Sequence, residues 1–146
     1  DPRDLHSFPT RRSSDLHLAK SGKLSQEHLS GDDAKSVLCL LNSLTLNYYI
    51  RSKMSATVNM FYIYELPFPE FTAAQKMKLA GFADNLLRDP RDVLERAALE
   101  VFIARELYGL TREDWQHLTG TFTFGGGATK AELDEIIRLS LKLWNE

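Results

Sequence analysis

Arg51, Ser52, Lys53, Ser55, Thr57 and Asn59 crowd polar and basic side chains into one short stretch of an otherwise apolar neighbourhood. Their chemistry suits duplex DNA. Arg and Lys neutralise phosphate, Ser and Thr donate to backbone oxygens, and Arg or Asn can grip a base edge through two hydrogen bonds. The same residues have a plainer use, because Arg51 and Lys53 near a helix end complement the negative pole of the helix dipole. Residue types alone favour that plainer use and leave the DNA reading open.

Other chemistries find few residues to carry them. His17, His28 and His117 lack His-x-x-x-His spacing and Cys39 is the single cysteine, too few ligands for a zinc site. Glu95, Glu100, Glu106, Asp134 and Glu135 fall on helical stretches dense in charge and read as solvated faces. Gly125-Gly126-Gly127 lacks the Lys-Ser/Thr ending of a phosphate-binding loop and reads as a linker. An independent small enzyme therefore has no nucleophile, metal set or cofactor motif to work with. Cys39, inside an apolar run, fits a buried thiol in a reducing compartment. No apolar stretch reaches the roughly 18 to 20 residues that cross a bilayer. The expectation is a cytoplasmic protein with no membrane partner.

The elements that position the polar cluster emerge from periodicity. From Ala34 to about Ser52, the residues Val37, Leu38, Leu41, Leu44 and Tyr48 recur at three- and four-residue spacing, and Asp32-Asp33 favour a helix start through capping and charge. One helix is expected, ending near Met54-Ser55-Ala56. Val58 to Tyr64 is β-branched and aromatic and reads as a strand or hairpin, which Leu66-Pro67-Phe68-Pro69 terminates. Beyond Phe71 the pattern is helical. Thr72 caps a helix with Met77, Ala80, Ala83 and Leu87 inward, and Asp89-Pro90 starts the next, with Val93, Leu94, Ala97, Val101, Ala104 and Leu107 inward and Gly109 at its end. Thr111-Arg112-Glu113-Asp114 opens a short helix with Asp114 in the reciprocal capping position. Thr129 caps a last helix that buries Leu133, Ile136, Ile137, Leu141 and Trp144. The fold class is mainly α with a short β-strand or hairpin.

Charge is unevenly spread. The chain of 146 residues has a net charge of −2, which gives no general affinity for polyanions. Between Ser36 and Tyr64, however, Arg51 and Lys53 are the only charged residues, a locally basic and hydroxyl-rich patch on an acidic chain. At the amino terminus, Arg3 to Leu16 reads as the translation of a widely used sequencing adapter. Residues 1–16 are accordingly set aside as non-native, and the rest of the chain is expected to be a carboxy-terminal fragment.

That remainder resembles the carboxy-terminal part of the large adenine-N6 DNA methyltransferases of restriction-modification systems, including fused type IIG restriction enzymes and related phage-defence enzymes. The likeness rests on two ordered signatures. One is Leu41-Asn42-Ser43, Tyr48-Tyr49, Arg51, Ser55-Ala56, Thr57-Val58-Asn59, Phe61 and Leu66-Pro67-Phe68-Pro69; the other is Tyr108-Gly109-Leu110-Thr111-Arg112-Glu113-Asp114 with Leu118 and Thr121-Phe122. The turn that is often Gly-Gly in that family is Ser55-Ala56 here. By this resemblance residues 17–70 are the end of a DNA target-recognition region and 71–146 a helical carboxy-terminal region, together the tail of an α+β specificity domain. It further implies double-stranded DNA as partner and S-adenosylmethionine as cofactor of the intact parent. The family's Asn-Pro-Pro-Tyr-type motif and glycine-rich cofactor strand-turn do not occur in this chain. A competing expectation is a helical protein-interaction module without DNA contact.

Overall fold

The computed structural model describes residues 31–53, 66–122 and 128–146. The expected strand at Val58 to Tyr64 and the Gly125-Gly126-Gly127 linker lie outside the described residues. Among those described, helices account for the regular structure: α1 (Gly31–Leu41), α2 (Leu44–Lys53), α3 (Ala73–Arg88), α4 (Val93–Val101), α5 (Arg112–Gly120) and α6 (Ala128–Trp144). α4 runs on as a π-helical segment, Phe102–Leu107. It is the central element, with α3 on one side and α6 on the other. α1 packs on α3, and α5 contacts both α6 and α2.

The single helix expected from Ala34 to Ser52 is two. Asn42 and Ser43 break it, because both side chains offer the backbone alternatives to the helical ladder. Asn42 Nδ2 donates to the Leu38 carbonyl at 2.9 Å, and the Ser43 hydroxyl donates to the Leu40 carbonyl at 2.7 Å. The Ser43 oxygen then accepts from Leu46 N at 3.2 Å, as a cap for the new helix.

Which faces turn inward also differs from the apolar count. Leu38 and Leu41 on α1 are exposed, while Ser36, Cys39 and Leu40 are buried. On α3, Ala80 and Ala83 are buried as expected and Leu79 joins them, whereas Met77 and Leu87 remain 68% and 64% exposed. The buried stripe of each helix mixes small residues, Ser36 and Cys39 on α1 and Ala80 and Ala83 on α3, with one fully buried leucine, Leu40 or Leu79. Small side chains let the two helices approach closely enough for side chains to bond backbone across the contact. Cys39 Sγ lies 3.4 Å from the Leu79 carbonyl, and Ser36 Oγ lies 3.4 Å from that of Lys76. Ion pairs at 2.7 Å, Lys76 with Asp33 and Lys35 with Asp84, flank the seam.

The helix caps agree with expectation in part. Thr72 with Gln75 and Thr111 with Asp114 both form reciprocal capping boxes. Asp89, by contrast, ends α3, and Asp92 caps α4 by accepting from Glu95 N at 3.0 Å. Asp89-Pro90-Arg91-Asp92 is a turn in which Asp92 N donates to the Asp89 carbonyl at 3.2 Å. Proline after aspartate suits the second position of such a turn as well as it suits a helix start. Leu94, expected inward, is exposed in the first turn of α4, although Ala97 and Val101 farther along the same face are buried. Thr129 lies inside the first turn of α6, which begins at Ala128.

From Leu99 to Ala104 every residue is buried, as a helix enclosed on both sides requires. The π segment accommodates this by bonding Tyr108 N to the Ile103 carbonyl at 3.1 Å. Gly109 at φ 65° then turns the chain, so that Leu110 N reaches the Ala104 carbonyl at 2.9 Å. Two core clusters meet along α4. One joins Leu40, Leu46, Leu66, Leu79, Ile103 and Tyr108; the other gathers Leu44, Ala104, Trp115, Leu118 and Phe122. Trp115 anchors the second, its indole donating to Ser140 Oγ at 2.8 Å and stacking on Trp144 at 6.0 Å.

Tyr108 ties the first cluster to the segment before α3. Its hydroxyl, fully enclosed, donates to the Pro67 carbonyl at 2.6 Å, and burial pushes its ionisation well above the usual phenol range. Tyr108→Phe keeps the ring and deletes this bond. It is expected to lower unfolding free energy by about 1–3 kcal/mol, the cost of a buried carbonyl left without its donor, with little change in urea m-value. Urea denaturation followed by tryptophan fluorescence checks it.

Candidate nucleic-acid interface

The last turn of α2 holds three of the six expected DNA-contacting residues: Arg51, Ser52 and Lys53. Ser55, Thr57 and Asn59 lie outside the described residues. Arg51 is engaged on three sides within the protein. Its Nε donates to Asn47 Oδ1 at 2.9 Å, one Nη donates to Thr121 Oγ1 at 3.1 Å and the other to the Thr121 carbonyl at 3.4 Å. The guanidinium also sits 4.1 Å from the centre of the Phe122 ring. Planarity and delocalisation make arginine, and not lysine, fit such a stacked and forked site. Ser52 turns its hydroxyl back to the Tyr49 carbonyl at 2.6 Å. Lys53 is exposed, with its ammonium 5.7 Å from the Tyr49 ring centre. The structure thus separates residues that sequence treats alike. Arg51 clamps α2 to the end of α5, while Lys53 presents charge to solvent.

The opposite end of α2 is fixed by a carboxylate that composition placed on a solvated face. Glu100 is fully buried. Its two oxygens accept from Leu44 N at 3.0 and 3.2 Å, at the first residue of α2, where unpaired amides and the helix dipole favour negative charge. Arg96, one turn earlier on α4, donates through Nε to Glu100 at 3.0 Å and through Nη2 to the Asn42 carbonyl at 2.5 Å. One guanidinium therefore holds both sides of the α1–α2 break. Burial raises the Glu100 carboxyl above its ordinary value, against the lowering effects of Arg96 and the Leu44 amide. The nearby Cys39 thiol is pushed up to about 11, mainly by burial, which keeps it protonated and unreactive at neutral pH. The sequence carries a signal for Glu100, since it is the lone charge between Ala97 and Ala104. Among the described residues, no group of histidine, cysteine or carboxylate side chains is placed to hold a metal ion, and no helix is long and apolar enough to cross a membrane.

The Glu100 arrangement has a definite pH signature. A carboxyl whose folded pKa is raised binds its proton more tightly in the folded state, so its unfavourable contribution is full above the folded pKa and vanishes once pH falls below the unfolded value of about 4.3. Relative to Glu100→Gln, which keeps an acceptor for Leu44 N, the wild-type chain should gain stability as pH is lowered from 7 through the folded pKa. Glu100→Ala should cost about 3 kcal/mol at neutral pH, because it strands the Leu44 amide and the Arg96 charge. Thermal unfolding of the three proteins across pH 5 to 8 tests both; parallel pH profiles for wild type and Glu100→Gln would overturn the first. No family model, curated protein or solved structure matches this chain.

Proposed function

We propose that this chain contributes DNA target recognition to a site-specific adenine-N6 DNA methyltransferase of a restriction-modification or phage-defence system. The observation that supports it best is the packing together of the two sequence signatures on which the resemblance rests. Leu66 and Tyr108 share one core cluster, the Tyr108 hydroxyl bonds the Pro67 carbonyl at 2.6 Å, and Arg51 grips Thr121. Segments some forty to seventy positions apart thus behave as parts of one unit.

That unit holds both ends of the stretch carrying Ser55, Thr57 and Asn59. On one side of that stretch Arg51 clamps the last turn of α2, and on the other Leu66 is buried. Firm anchors reduce the ordering cost of a segment that must meet a defined partner. Methylation of adenine requires the base to leave the duplex, so a separate module that grips DNA and sets the register is a necessary companion of the transferase site. In this reading Lys53 supplies a phosphate contact, Asn59 reads a base edge, and Arg51 sets the position of the helix end. S-adenosylmethionine belongs to the transferase portion of the parent enzyme. Exposure of Leu38, Leu41, Leu87 and Leu94 favours, as a second reading, a helical module that docks another protein.

Duplex binding at two salt concentrations separates the roles. Lys53→Ala is expected to weaken binding to all duplexes alike, to flatten the salt dependence by about one unit, and to leave thermal stability unchanged. Arg51→Ala should lower stability by about 1 kcal/mol through loss of the Phe122 and Thr121 contacts. Asn59→Ala should cost roughly 1–3 kcal/mol on the selected sequence alone. Unchanged binding for both Lys53→Ala and Asn59→Ala would remove the DNA reading and leave the docking module.

A further inference from the structure

A cavity of about 150 Å³ opens between α1, α3 and α4. Its depth is graded. Cys39, Ala83 and Leu99 are buried and form the floor, while Leu38 and Leu87 are exposed at the rim. Arg96 and Asn42 supply the polar wall, and among the described residues Arg96 is the one charged side chain lining it. The Arg96 side chain is 31% exposed, and its hydrogen bonds use Nε and Nη2, which leaves Nη1 with no partner among the described residues. A cavity of this size with apolar walls accommodates a group as large as benzene. The Cys39 thiol, held protonated by its surroundings, adds no charge to the floor.

We infer that this cavity is a binding site for a short aliphatic carboxylate, with a tail of about five carbons against Leu38, Ala83, Leu87 and Leu99 and the carboxylate on Arg96 at the mouth. The pairing rests on charge and shape. With Nε already paired to Glu100, Nη1 of Arg96 is the donor left for a second carboxylate, and a branched tail fills the space that the small Ala83 side chain leaves. Because the polar wall is also the α1–α2 break, occupation draws on the same guanidinium that bridges Asn42 and Glu100. Binding is therefore read at residues of the break as well as in the cavity.

The test is a titration of the full chain with 4-methylpentanoate and with its uncharged amide, followed by backbone amide shifts in nuclear magnetic resonance. The acid is expected to saturate in the millimolar range and to shift Leu38, Ala83, Leu99 and Leu44; the amide is expected to bind about tenfold more weakly. Ala83→Leu, which fills the cavity, should abolish both titrations. Leu87→Ser at the exposed rim should weaken both without burdening the fold, and serves if the filled variant does not fold. Equal affinity for acid and amide, shifts confined to other surfaces, absence of saturation, or full binding by the Leu87→Ser protein would each overturn the assignment.

Discussion

The fold turns on one buried carboxylate. Glu100 lies on the central helix, yet its two oxygens terminate the first amide of another helix, and its Arg96 partner reaches the carbonyl on the far side of the break. Removing Glu100 from water is costly, and the attraction of the part-exposed Arg96 only partly offsets it. What the arrangement secures is direction. Leu44 and Leu46, two positions apart at the start of α2 and so on opposite sides of it, enter different core clusters. The break redirects the chain, and Glu100 fixes where α2 starts.

A second consequence runs along α2. Its N-terminal end is held by α4, and its C-terminal end is held by the Arg51 clamp on the end of α5. A ten-residue helix fixed at both ends has little freedom to rotate. The central helix thereby governs the orientation of the turn that presents Lys53. In energetic terms these are polar contacts of modest individual worth, but each has a distinct geometry, and the apolar clusters supply most of the stabilisation.

What sequence reveals divides by range. Thr72 and Thr111 are legible as caps, and Asp114 as the reciprocal partner of Thr111, because such contacts lie within one turn; the box that Gln75 completes with Thr72 is of the same local kind. The break at Asn42-Ser43 is visible as residues but not as a break, since asparagine and serine disrupt a helix only where the backbone finds partners, and here the partner is Glu100, 56 positions away. On α3 periodicity places Ala80 and Ala83 inward correctly but not Met77 and Leu87, because the contact with α1 centres on Lys76 to Leu79, where Ser36 and Cys39 reach the backbone. Arg51 stands out in the sequence as a special residue. Its commitment to Thr121 and Phe122 does not, as no local pattern links positions seventy apart.

The separation of Arg51 from Lys53 bears on how a recognition surface is built. Phosphate contacts are useful only if their positions relative to one another are fixed before binding, since ordering them afterwards reduces affinity. A guanidinium with its donors committed internally can provide that fixity, and a lysine two positions later, with a compact and exposed charge, can provide the contact. In this chain the more elaborate cation is committed to holding the helix end and the simpler one is left at the surface. Arg51 and Lys53, two positions apart and alike in charge, are therefore not equivalent contacts: one is an anchor within the fold and the other a charge at its surface.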